Sequence, residues 1–216
     1  MNLEFFIAKR LVSTKDHKSS ISAPIIKIAI TAIALGMIMM IISVATGIGL
    51  QQKIRQKVSA FNGHVIISSY NDNQSDVSTE PISTNQSFYP KFKNIEGINH
   101  VQAVASKAGM IRTETAFEGI IFKGIGNDFK SDNFSEYIIA GRLPVLNTNL
   151  NDEVVISQYL CNRLGPKLGD KFVTYFMKES SEGYNLRNFN IVGIYNSGFQ
   201  EFDAAYILGD IRHVQR

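Results

Sequence analysis

One cysteine, no tryptophan, five prolines and four histidines are all that 216 residues contain of these types. The lone Cys161 excludes an internal disulfide and a cysteine-cluster metal site. His17, His64, His100 and His213 show no HExxH or other ligand spacing, so each reads as a surface or strand residue and not as a metal ligand. No GxSxG occurs, and neither Ser157 nor Cys161 has a histidine close by in sequence. Gly124-Ile125-Gly126 follows a strand-like run, but Phe129 stands where a third glycine would be needed and no long helix follows, so it reads as a turn. The stretch from Gly165 to Lys171 carries glycine and lysine without the spacing or the Ser/Thr of a Walker A loop. Asp152 and Glu153 are adjacent in a strand pattern and so face opposite ways, while Glu201 and Asp203 have no partner cluster. The reading is a protein without a catalytic constellation, cofactor or metal. ATP hydrolysis is not expected of this chain.

The most informative absence is of charge. Ile28 to Leu50 is 23 residues without one ionisable side chain. A helix of that length rises about 34 Å, enough to cross a hydrocarbon core of about 30 Å. Thr31, Ser43 and Thr46 can return their hydroxyl hydrogens to carbonyls one turn back. A buried helix of a soluble protein would show a polar stripe, and a cleaved signal peptide would have a shorter apolar region nearer the start. An uncleaved signal anchor fits better. Within it Ala29, Ala32 and Gly36 lie three and four residues apart, a small-residue strip that allows close approach of a partner helix.

The formal charge of +3 does not indicate nucleic acid. Five basic residues against two acidic ones precede Ile28, whereas the 17 basic and 17 acidic residues from Gln51 onward cancel. The excess is a flank of the membrane segment and is expected to hold the N-terminus in the cytoplasm. Lys53, Arg55 and Lys57 on the far side weaken the contrast.

Residues 1–27 therefore read as a cytoplasmic segment. Leu3, Phe6, Ile7 and Leu11 are at helical spacing beside Lys9 and Arg10, which suits an interfacial helix against membrane lipid. Residues 13–22 read as a polar turn. Residues 28–50 are the transmembrane helix. Leu50, Ile54, Val58 and Phe61 continue the helical period, so 51–62 reads as a stalk ending at the C-cap pair Asn62-Gly63. Residues 63–216 read as an extracytoplasmic α+β domain. Its expected strands are 64–70, 100–105, 109–115, 117–123, 153–157, 171–177, 189–195 and 204–208. Helices are expected at 89–96 and 158–164, with a loop or short helix at 128–137. Residues 209–216 look like the opening of a helix, which implies a domain incomplete at its C-terminus.

These parts, in this order, resemble the membrane subunits of ABC transporters in the lipoprotein-releasing (LolC/LolE-type) and MacB/FtsX-like permease family. The matches are Phe6-Ile7-Ala8-Lys9-Arg10, Ile33-Ala34-Leu35-Gly36, Gly47 and Asn62-Gly63-His64-Val65. Farther on come Gly141-Arg142-Leu143-Pro144, Glu153-Val154-Val155-Ile156-Ser157, Leu168-Gly169-Asp170, Val192-Gly193-Ile194 and Glu201-Phe202-Asp203. The resemblance implies a bacterial inner-membrane location with the main domain periplasmic, a separate ABC ATPase subunit, and a second permease copy or paralogue. It implies a non-catalytic mechanotransmitter that passes ATP-driven helix movement to a lipoprotein substrate. The alternative within the same family is an FtsX-like regulator of a periplasmic cell-wall hydrolase. The later helices that such permeases carry do not occur in this sequence. In one of the two permease types of the lipoprotein-releasing family the corresponding hairpin holds a soluble periplasmic carrier. Here the hairpin between 171–177 and 189–195, with Gly183 at its turn and Tyr184 and Leu186 on one face, reads either as such a contact or as an ordinary solvated connection.

Overall fold

The computed structural model describes residues 3–13, 22–72, 76–78, 80–92, 95–113, 116–147, 149–178 and 183–215. The chain divides into two compact units, Met1–Gln56 and Lys57–Arg216. The polar turn expected at 13–22 lies almost wholly outside the described residues.

In the first unit, α1 spans Leu3–Ser13 and α2 begins at Ser22. Helix α2 runs to Asn62 without a break, 41 residues in all. It is long and apolar enough to cross a membrane, and none of its most apolar window is buried in protein. Thr31 Oγ1 donates to the Lys27 and Ile28 carbonyls at 3.0 and 2.9 Å, so this hydroxyl presents no unpaired donor to lipid.

Among its described residues, the second unit is a mixed sheet of seven strands with short helices. Its strands are β1 Val104–Arg112, β2 Phe117–Ile125, β3 Ile138–Gly141, β4 Glu153–Ser157, β5 Lys171–Met177, β6 Tyr184–Tyr195 and β7 Tyr206–Asp210. The strand order is β3-β6-β4-β7-β2-β1-β5, and β5 also pairs with β6. That extra pairing closes six strands into a ring. The first half of β6 takes β5 on one edge, while Asn190–Tyr195 take β4 on the other. Strand β3 continues the β5 side of β6. Helices α3 Asp132–Ser135, α4 Gln158–Leu164 and α5 Gln200–Asp203 fill the connections.

Strands β2, β4 and β7 are buried on both faces, which is why they read as near-continuous apolar runs: Ile120-Ile121-Phe122, Val154-Val155-Ile156, Tyr206-Ile207-Leu208. One face joins Ile111, Phe122, Val154, Phe176, Phe189 and Ile207 into the interior of the ring, to which all six strands contribute. Alternate residues on the other face, Ile125, Val155, Tyr195, Tyr206 and Leu208, form a second core with Phe61, Phe134 and Phe202.

Several sequence expectations need correction. Residues 64–69 are a bend and irregular chain that join no strand, and Val65 is 82% exposed. Apolar alternation alone does not make a strand where no neighbour takes up the backbone groups. The helix expected at 89–96 is absent from the described part of that stretch. The strands expected at 100–105 and 109–115 are one strand, β1, because nine consecutive residues pair with β2 through polar Ser106 and Lys107. Strand β3 and helix α5 were not foreseen. The opening helix expected at 209–216 is the end of β7 followed by a 3-10 turn, Ile211–His213.

Candidate functional site

The apolar stripe that continues beyond Leu50 ends at Phe61, and within the second unit that residue is a plug. Phe61 is 3% exposed. Its ring stacks on Phe202 at 4.5 Å and 3°, meets Phe134 edge-on at 5.0 Å, and lies 5.6 Å from Tyr195. Each such pair contributes about 0.5–1.5 kcal/mol beyond the area it buries. The last turn of α2 is thereby built into the second core, and Val58 and Ala60 pack against the same cluster.

A helix end leaves carbonyls unpaired, and here the sheet supplies a partner. Gly63 adopts φ 74° and returns its N–H to the Ser59 carbonyl at 2.8 Å, closing the helix in the manner its residue type favours. Lys123 of β2, 5% exposed, donates from Nζ to the Phe61 carbonyl and to Asn62 Oδ1, the latter at 2.7 Å. The same nitrogen lies 5.8 Å from the centre of the Tyr206 ring. Burial pulls the Lys123 amine down to about 8, and the Asp76 carboxylate opposes that shift. Burial, with Asp76 adding charge and a hydrogen bond, pushes the Tyr206 phenol up to about 12.

The socket around Phe61 is held from behind. Tyr195 donates its hydroxyl to the Tyr206 and Phe202 carbonyls at 2.8 and 3.1 Å. Asp203 accepts from Ser197 N, Ser197 Oγ and Gly198 N at 3.0, 2.7 and 3.1 Å, tying α5, which carries Phe202, to the loop before it. Ser157 donates to the Asp203 carbonyl and caps α4, accepting from Leu160 N at 3.0 Å.

The carboxylates are structural and separate. Glu153 is pinned by Arg142 and by the Val145 N–H, and the Arg142 guanidinium holds its carboxyl down at about 2. Asp152 instead faces His213 Nε2 at 3.3 Å. That histidine is buried edge-on against Phe189, with its Nε2 2.9 Å from the Asn151 carbonyl, and burial keeps its pKa below the ordinary value. Burial pushes the Cys161 thiol up to about 11, so it is protonated and inert near neutrality. An open cleft of about 370 Å³ beside Asp128 and Asp210 offers two carboxylates that are already bonded. Asp128 accepts from Tyr89 and Ala103, and Asp210 from Arg212. Among the described residues no group of three His, Cys, Asp or Glu is disposed to hold a metal.

Of the residues singled out from sequence, Ala29, Ala32 and Gly36 are exposed on α2, and a Cβ on Gly36 would meet nothing within 4 Å. Tyr184 and Leu186 are 55% and 58% exposed. They belong to β6 and not to a loop, where Met177 pairs with Tyr184 and Tyr175 with Leu186, so all four side chains share the outer face. Gly183 precedes them at φ 134°, and residues 179–182 of the turn lie outside the described residues. Lys123 was missed. The available signal was a single lysine within the apolar end of a strand, Ile120 to Ile125.

A family model described as the MacB-like periplasmic core domain matches residues 28–216. Among solved structures, the chain is similar to the extracellular domain of the noncanonic ABC-type transporter YknZ from Gram-positive bacteria. Identity is 16% and the TM-score 0.42, over 57% of this chain and 60% of that one. The chain thus spans less than two thirds of that relative's length. No curated protein matches the chain.

Proposed function

Because the chain belongs to the MacB-like periplasmic core domain family, we propose that it is a membrane-anchored permease component of a MacB/FtsX-like ABC transporter, working as a mechanotransmitter. A separate ATPase subunit hydrolyses ATP, and the permease pairs with a second copy or paralogue. The small-residue strip Ala29, Ala32 and Gly36 is the proposed packing face for a neighbouring membrane helix. The N-terminus is cytoplasmic, α1 lies against lipid on that side, and the second unit is periplasmic at the bacterial inner membrane. The observation that carries this reading is the unbroken course of α2 into Phe61. A displacement of its membrane segment reaches the domain through a helix with no flexible linker.

The finer proposal is lipoprotein release, with the outer face of the β5–β6 hairpin as the contact for a soluble carrier. Supporting it are four exposed or half-exposed side chains, Tyr175, Met177, Tyr184 and Leu186, on one face of the β5–β6 pair, anchors of the kind interfaces use. The permease purified from inner membranes should bring down an ABC ATPase together with a lipoprotein. Recovery with a cell-wall hydrolase in place of lipoprotein would turn the reading to the FtsX-like regulator, and recovery with no ATPase at all would end it. In the assembled permease, Tyr184→Ser with Leu186→Ser should abolish carrier pull-down while shifting the unfolding midpoint little, since neither side chain is in a core. Carrier capture that survives the double substitution in a folded protein removes the hairpin from the site.

A further inference from the structure

Two acceptors at a helix end need only a donor, and a neutral one would serve. The fold uses a lysine instead and closes it in. We propose that Lys123 is the positioning residue that makes this joint separable: its ammonium regains water whenever the last turn of α2 lifts from β2, so protonation favours the lifted state. This rests on the reading of α2 as the helix that carries movement, and it names what sets the ease of that movement at the domain.

The groups facing the nitrogen come from three directions. Helix α2 presents the Phe61 carbonyl and the Asn62 amide, neither of which titrates. Strand β7 presents Tyr206, whose phenol at about 12 stays neutral below that pH. The segment before β1 brings the Asp76 carboxylate, which favours the ammonium but is outweighed by burial. Seated, the amine titrates at about 8; lifted into water, it returns towards 10.5. Between those values the seated joint binds fewer protons than the lifted one. Raising the pH through that window therefore stabilises the seated state, and below about 8 the joint carries the full cost of a buried charge.

Amide hydrogen exchange of the full chain in membranes tests this. Protection of Gly63 and residues 59–62, corrected for intrinsic rates, should rise by more than about tenfold from pH 7 to pH 10. In Lys123→Met the profile should be flat. These amides should also exchange faster than those of Ile191 and Ile207 in the ring, because the last turn opens on its own. The inference is overturned by a flat wild-type profile, by a slope that persists in Lys123→Met, or by joint amides that exchange only as fast as the ring. Asp76→Asn provides an independent reading on an exposed residue. Losing the carboxylate should move the rise to lower pH, and an unmoved rise counts against the proposal. Failure to recover an ATPase partner would leave this profile standing, and a flat profile would leave the transporter reading standing.

Discussion

Phe61→Ala should lower the unfolding free energy of the second unit by about 3–5 kcal/mol, the range for deleting a buried phenylalanine. The upper end is expected because the ring is stacked on Phe202 and flanked by Phe134 and Tyr195, all themselves held in place. A small cavity could close only by moving α5, and Asp203 ties that helix to the Ser197–Gly198 loop through three hydrogen bonds. Denaturant unfolding followed by near-ultraviolet circular dichroism reports on this cluster of aromatics. A loss under about 1 kcal/mol would mean that the socket collapses around the gap or that Phe61 is not seated. On the proposed permease role, the same substitution should separate two activities of the assembly, leaving ATP hydrolysis while substrate release falls. Loss of both together would place the defect in assembly and not in transmission.

Gly193→Val is expected to be at least as damaging, above about 4 kcal/mol, and for a different reason. Gly193 of β6 pairs with Gly141 of β3, and the two backbones lie in contact. A Cβ on Gly193 would overlap the Arg142 carbonyl and come within 3.2 Å of Val155 Cγ2. On Gly141, at φ 76°, it would overlap the Val192 carbonyl. The Arg142 N–H bonds that same Val192 carbonyl at 2.9 Å, so neither strand can retreat without losing a hydrogen bond. The register shift between Val154 and Val155 leaves Val192 as the extra residue of a bulge, which fixes the turn of β6 away from β5 towards β3. Gly119→Ala is the matched control: it is a strand glycine whose added Cβ meets nothing within 4 Å, and it should change stability by less than about 0.5 kcal/mol. Comparing soluble yield and urea midpoints of the two variants checks both expectations.

What the sequence disclosed follows from how local each signal is. Strands β4 and β5 and helix α4 have the bounds read from sequence. Ser157 caps the helix, Gly165 ends it at φ 92°, and the apolar runs on either side are short and uninterrupted. The end of α2 at Asn62-Gly63 is equally local. Residues 64–69 carry the same kind of β-prone run, yet they remain outside the sheet, since propensity describes a side chain's fit to strand neighbours that are lacking here. Strand β3, four residues at the margin of the sheet, is defined by its pairing with β6 and has little pattern of its own. The joint was half legible. The period from Leu50 to Phe61 exposed one side of it, but the Lys123 contact joins residues 62 apart and leaves no trace in either neighbourhood.

Every aromatic that packs around Phe61 is synthesised after it. Phe134, Tyr195 and Phe202 all follow it, the farthest by most of the chain. At elongation rates of about 5–20 residues per second, the plug waits on the order of ten seconds between its own synthesis and that of its stacking partner. During that interval the membrane anchor already exists while an unpaired aromatic and an uncapped carbonyl stand at its outer end. The end of α2 is therefore made early but can be fully seated only after α3, β6 and α5 have been synthesised. Ribosome-bound chains halted before Phe202 should expose Phe61 to solvent.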